Sequence, residues 1–185
     1  MFESFSRFRK VTRDATARAI VISAPPAHRA LLANRSGVSR TFAALMSLLA
    51  EARRSVHVFS PYVDPTFTAL LHSVDPTVAI RVVTTARDGR MRRPSAVLER
   101  CSQDRDLKVR YVVEHRHKAQ MFQMHAKLVS VDGVAAYLGS ANLTDTSIHY
   151  NLELGIVTRV PEELKQLERL FAYVWQEMGV PAARL

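Results

Sequence analysis

The chain has a single cysteine, Cys101, in 185 residues. It therefore cannot carry an internal disulfide framework, and a reducing compartment suits it. Cys101 follows Val97 and Leu98 in a helical pattern and reads as a core or rim residue rather than a nucleophile. Only six glycines are present against a 48% hydrophobic fraction, a composition that excludes disorder and indicates a globular chain. No stretch approaches the roughly twenty apolar residues needed to span a bilayer. The N-terminus, MFESFSRFRKVTRDATARAIV, is basic but lacks the apolar centre of a secretory signal, and Glu3 and Asp14 weaken a transit-peptide reading. A cytoplasmic location is the default. There is no internal repeat, and no second H-x-K stretch accompanies the one at His125.

What is present is positive charge, unevenly placed. The net charge is +9. Residues 1–54 carry ten basic and three acidic residues, residues 55–132 twelve and eight, and residues 133–185 four and six. The excess lies upstream of His125, and such a surface attracts polyanions, nucleic acid first among them. Anionic lipid surfaces would answer the same charge.

Hydrophobic periodicity lays out the elements. Phe2, Phe5 and Phe8 fall at helical spacing among Arg7, Arg9, Lys10 and Arg13, which predicts an amphipathic helix that packs on the domain or docks to a partner or membrane surface. Ala19 to Ser23 reads as a short strand. Ser39 is placed to cap a helix over Arg40–Arg53, and SVHVFS from Ser55 alternates as a strand. A helix follows Asp64, a strand covers Ala79–Thr85, and ARDGRMRRP reads as a basic loop. A helix from Ser95 to Ser102 and a strand over Lys108–Val113 come next, then a second basic loop, EHRHKAQ, at Glu114–Gln120. Glu153–Val160 is a strand, and Pro161 opens a terminal helix carrying Leu164, Leu167, Leu170, Phe171 and Trp175. This order gives an α/β fold, a mixed sheet sandwiched by helices. The boundaries expected are an N-terminal basic extension over 1–37, a catalytic domain over 38–180 and a tail over 181–185.

The chemistry concentrates in MHAKLVSVDGVAAYLGSANLTDTSIHYNLE, Met124 to Glu153. The alternation around Lys127 reads as a strand, Asp132-Gly133 as a two-residue turn, and Val134–Leu138 as the returning strand. His125 and Lys127, two apart in an extended chain, face the same way. An imidazole can attack or protonate at a phosphate, and a cation beside it can hold the anion.

His125-x-Lys127-x4-Asp132-x6-Gly139-Ser140-x-Asn142, followed by the acidic Glu153, resembles the HKD motif of the phospholipase D superfamily. The resemblance implies a phospholipase D-like fold with a single HKD half-site per chain. It also implies two-step phosphodiester displacement through a phosphohistidine, with one histidine attacking phosphorus and a second protonating the leaving oxygen. One imidazole cannot do both in an in-line displacement, so a homodimer supplying one His125 from each subunit is expected. On the same resemblance, Lys127 and Asn142 hold the non-bridging oxygens, Glu153 fixes the imidazole tautomer, Ser140 supports by hydrogen bonding, and Asp132 either joins the site or closes the hairpin. No cofactor is expected. His115 and His117 form an H-x-H pair without an acidic or cysteine cluster, so no metal site is expected either.

The substrate reading rests on the basic loops. Arg87, Arg90, Arg92 and Arg93 in one, with Arg116 and Lys118 in the other, would track a phosphate backbone without reading bases. Compact, basic, single-motif members of the family resemble nucleases, and some belong to restriction or phage-defence assemblies, to which the N-terminal segment could dock. A phospholipid phosphodiesterase or transferase is the competing enzyme; a catalytically silent nucleic-acid-binding subunit is the competing non-enzyme.

Overall fold

The computed structural model describes residues 17–28, 38–87, 90–91, 94–117 and 120–185. The N-terminal Phe2, Phe5 and Phe8 pattern lies outside these residues. So do Arg92, Arg93 and Lys118, and so do the side chains of Arg87, Arg90, His115, Arg116 and His117.

Among the described residues, ten strands make one mixed sheet: β1 (Arg18–Ser23), β2 (Ser39–Arg40), β3 (Ser55–Phe59), β4 (Ala79–Arg87), β5 (Arg90–Met91), β6 (Leu107–His117), β7 (Gln120–Phe122), β8 (Leu128–Val131), β9 (Ala135–Gly139) and β10 (Glu153–Thr158). Their order across the sheet is β2-β1-β10-β9-β8-β3-β4-β6-β7, with β5 paired to β4. Strands β3, β4 and β6 run parallel, and β8, β9 and β10 run antiparallel to their neighbours. Helices α1 (Thr41–Ala50), α2 (Pro65–Leu71), α3 (Pro94–Asp104) and α4 (Pro161–Tyr173) complete the fold.

Strand alternation divides the core in two. Val56, Val58, Ile80, Val82, Val129, Val131 and Tyr137 point to one face and pack with Leu45, Leu48 and Leu49 of α1, Phe67, Leu70 and Leu71 of α2, and Leu98 and Cys101 of α3. Phe59, Val83, Val112, Leu128 and Ala136 point to the other and pack with Leu164 and Phe171 of α4. Because both faces of the central strands are covered, these strands are apolar in nearly continuous runs. Helix α4 is tied down further: His57 Nδ1 lies 2.9 Å from Glu168 Oε2, Ser130 Oγ donates to Glu168 Oε1 at 2.6 Å, and the His57 ring stacks on Phe171 with centroids 4.3 Å apart. The sandwich expected from the strand and helix order is therefore present.

Several local expectations change. Ser39 does not cap α1; it pairs with Val21 in β2, and the N-cap position is Arg40, without a side-chain cap bond. Asp64 does cap α2, accepting from the Thr66 N–H at 2.8 Å. The short strand expected at Ala19–Ser23 is present as β1 and pairs along its whole length with β10. The two stretches read as basic loops are hairpins: β4 turns back as β5, and β6 runs on to His117 before β7 returns. Charged side chains mark solvent exposure, and a hairpin projecting beyond the core satisfies its backbone by pairing whatever its side chains are.

Over β1, β10 and the end of β9, the face that carries α4 elsewhere is left exposed among the described residues. Ile20, Leu154 and Ile156 stand there 60%, 59% and 40% exposed.

Candidate active site at the carboxyl end of the parallel strands

Register decides which motif residues meet. Leu128 pairs with Phe59 of β3 and with Leu138 of β9, and Gly139 pairs with Gly155 of β10. The approach to β8, the exit from β9 and the start of β10 therefore lie at one end of the sheet, where the parallel strands β3, β4 and β6 finish. This is the end at which open α/β sheets bind ligands. His125, Lys127, Ser140, Asn142 and Glu153 converge there. The β4–β5 and β6–β7 hairpins leave the sheet at the same end, since Arg87 pairs with Glu114 across the parallel strands.

His125 and Lys127 are not inside a strand, as the alternation suggested; β8 begins at Leu128, and the preceding residues are irregular. Their relation survives because the two side chains meet directly. Lys127 Nζ donates to the His125 carbonyl at 2.9 Å and lies 3.0 and 3.1 Å from the two imidazole nitrogens. His125 is exposed, whereas Lys127 is only 7% exposed. Burial lowers the Lys127 pKa from its ordinary value, and the Glu153 carboxylate opposes that by favouring the ammonium.

Glu153 is held by its neighbours rather than by the imidazole. Ser140 Oγ donates to Glu153 Oε2, and Asn151 Nδ2 donates to Oε1 at 3.2 Å. Ser140 is fixed in turn by its backbone N–H to the Leu154 carbonyl at 2.9 Å and by the Leu154 N–H to its Oγ at 3.2 Å. Within one chain Glu153 thus acts on Lys127 electrostatically, and the expected bond to the His125 ring is not made. Asn142 is half-buried, and its Oδ1 has no hydrogen-bond partner among the described residues. Leaving a buried amide oxygen unpaired costs about 1–3 kcal/mol, a cost expected of a group kept for a ligand. A half-turn of the amide presents its N–H donors instead.

Asp132 does not belong to this site. It sits at the far end of β8, roughly 20 Å from His125 at strand rise per residue. Its carboxylate accepts from the backbone N–H groups of Arg53, Arg54 and Ser55 at 2.8, 2.8 and 2.7 Å. Burial alone would raise its pKa; the three N–H donors outweigh that and leave it lowered. The residue has φ 53° and Gly133 φ 67°, the paired positive angles of a tight two-residue hairpin.

Gly139 has a packing reason that sequence alone did not supply. A Cβ there would overlap the Tyr137 ring and lie 2.9 Å from the Leu154 carbonyl, and a Cβ on Gly155 would meet the same ring. The two glycines, opposite each other across β9 and β10, make the trough in which Tyr137 lies 1% exposed. Burial pushes the Tyr137 hydroxyl up to about 12, so it stays neutral beside Glu153. Among the described residues, no group of three or more His, Cys, Asp or Glu side chains is gathered to hold a metal ion.

One pH effect follows from these contacts. Lys127 can hold an anion only when protonated, so activity that depends on it is expected to fall as pH rises through its lowered pKa. Glu153→Gln removes the charge that favours the ammonium, and the alkaline limb of kcat/KM is expected at lower pH than in the wild type. A pH–rate profile of the two proteins measures this.

The sequence matches the family of the cardiolipin synthase, PLD-like domain over residues 45–175. No curated protein matches it in sequence. Among solved structures, NucT from Helicobacter pylori superposes with a TM-score of 0.66 at 16% identity, over 89% of this chain and 99% of that one. Nuc from Salmonella typhimurium, a phospholipase D family member, gives 0.61 at 18% identity over 89% and 97%. Phosphatidylserine synthase from Haemophilus influenzae Rd KW20 gives 0.61 at 14%, over 89% of this chain but 39% of that protein. No helix among the described residues is long and apolar enough to cross a membrane. The family match covers most of the chain and includes the whole histidine–lysine site, and on that ground the chain belongs to the phospholipase D superfamily and is an enzyme of phosphodiesterase type.

Proposed function

We propose that the chain is a nuclease that cleaves DNA or RNA through a phosphohistidine, with each active site completed by two subunits. The observation that carries this reading is the gathering, at one sheet end, of an exposed imidazole, a buried ammonium against it, and a half-buried amide whose oxygen has no partner among the described residues. In the first step a His125 nitrogen attacks phosphorus. A P–N bond forms, the bond from phosphorus to the leaving oxygen breaks, and that oxygen takes a proton from the partner's His125. In the second step water gives its proton back to the partner's imidazole while its oxygen displaces the histidine from phosphorus. Lys127 and Asn142 bear the charge that builds on the non-bridging oxygens. Two copies of the chain thus supply nucleophile, acid and cation.

Nucleic acid is favoured over lipid by the net charge of +9 and by two hairpins, bearing Arg87, Arg90 and Arg116, that leave the sheet at the catalytic end. The second subunit is supported by the face of β1 and β10 that is exposed among the described residues. It carries Ile20, Leu154 and Ile156 outward and runs directly to Glu153 and Ser140, so a copy seated there would approach the site. The joint variant Ile20→Arg, Ile156→Arg should be monomeric by sedimentation and more than about tenfold less active.

The test is hydrolysis of labelled single-stranded DNA and RNA by the purified protein in excess EDTA. Cleavage of either is expected. Hydrolysis of phosphatidylglycerol vesicles with no cleavage of either nucleic acid would replace the substrate assignment, and loss of all cleavage in EDTA would remove the mechanism.

A further inference from the structure

An apolar pocket opens beside His125. Its floor is Phe59 and Met124, which are 3% and 8% exposed, and its outer wall is Leu170 of α4 with Met178 beyond that helix; Gln123 and His125 stand at its mouth. The wall is built from an uncommon element. After Tyr173 the helix continues as a π-helical turn, Val174–Met178, closed by the Gly179 N–H to the Val174 carbonyl at 2.8 Å. Such turns are rare and occur at functional sites. This one is braced: the Arg110 guanidinium donates to the Trp175 carbonyl and, at 3.4 Å, to that of Gly179, and Tyr111 and Val180 exchange backbone bonds of 2.8 and 2.9 Å. The fold thus spends a distorted helix end, rigidly held, on keeping an apolar wall next to the nucleophile.

We infer that this pocket is a base subsite, receiving one unstacked nucleobase next to the phosphate that His125 attacks. The inference rests on the nuclease reading and specifies its substrate. Three features select a base over an acyl chain. Phe59, Val112 and Met124 line it from the core, and its volume of about 230 Å³ suits one ring rather than a long chain. Met124 and Met178 offer thioether contacts, which favour aromatic rings. Gln123 carries at the mouth both a donor and an acceptor, the pair needed to meet a base edge. A base inside a duplex cannot enter a pocket of this kind without leaving its stack, so single strands and frayed ends are the preferred substrate.

The test maps cleavage of a labelled single-stranded oligonucleotide in excess EDTA, beside the same oligonucleotide with one abasic residue. At the linkage flanking the abasic residue, kcat/KM is expected to fall about five- to a hundredfold, with other linkages unchanged. Met178→Trp, which fills the pocket, should reduce cleavage of the intact strand similarly and abolish the difference between the two substrates. Equal cleavage at intact and abasic positions by the wild type would overturn the base subsite while leaving the nuclease reading in place, and it needs no variant to fold. Failure to cut any oligonucleotide, with vesicle phospholipid hydrolysed, would overturn the nuclease reading itself.

Discussion

His125→Ala should reduce phosphodiester hydrolysis at least about a thousandfold while leaving thermal stability unchanged. The size follows from the two duties proposed for the ring. Removing a covalent nucleophile removes the route through the intermediate, and removing a general acid costs a further hundred- to ten-thousandfold on its own. The unchanged stability follows from position, because His125 is exposed and the Lys127 ammonium beside its ring keeps its bond to the His125 backbone carbonyl. Initial rates and melting curves of the two proteins check both halves. A variant with more than a tenth of wild-type activity would show that the histidine does not lie on the reaction path.

Asp132→Ala should do the reverse. The variant loses one carboxylate that joins three backbone N–H groups across β8 and the start of β3, and it places alanine at φ 53°. Water can reach part of this cluster, so the three bonds together are worth about 2 kcal/mol, and the left-handed backbone adds about 1 kcal/mol. A loss of about 3 kcal/mol is expected in denaturant titration, with kcat per folded molecule unchanged. Asp132→Asn keeps an acceptor oxygen and suits the turn, and it should cost about 1 kcal/mol. The lowered Asp132 pKa fixes the sign with pH: its contribution is complete above the unfolded carboxyl value and is lost as pH falls through the folded value. If Asp132→Asn kept its stability but lost catalysis, the residue would have to be returned to the site.

These two residues show how far the sequence reaches. Histidine and lysine two apart in an extended chain, followed by glycine, serine and asparagine at fixed spacing, are chemically unusual enough to mark the site, and register then gathers them as that spacing suggests. Asp132 shares the motif with His125 but not its place, because the strand between them carries the two residues to opposite ends of the sheet. Pattern also located most strands and helices, since their alternation reflects burial. It missed the β4–β5 and β6–β7 hairpins because their charged residues resemble loop residues, and hairpin pairing depends on the backbone. It likewise could not find the partners of Glu153 or the π-helical wall beside His125, where the deciding contacts join residues far apart in the chain.

The central claim is that each site draws one histidine from each of two subunits, and subunit mixing tests it most directly. Wild type and His125→Ala are unfolded together, refolded at varied ratios with total protein constant, and assayed in excess EDTA. If both histidines are needed, activity follows the square of the wild-type fraction, so an equal mixture retains about a quarter of the undiluted rate. A linear decline, with half the activity at equal mixing, would mean that each chain works alone and would contradict the account.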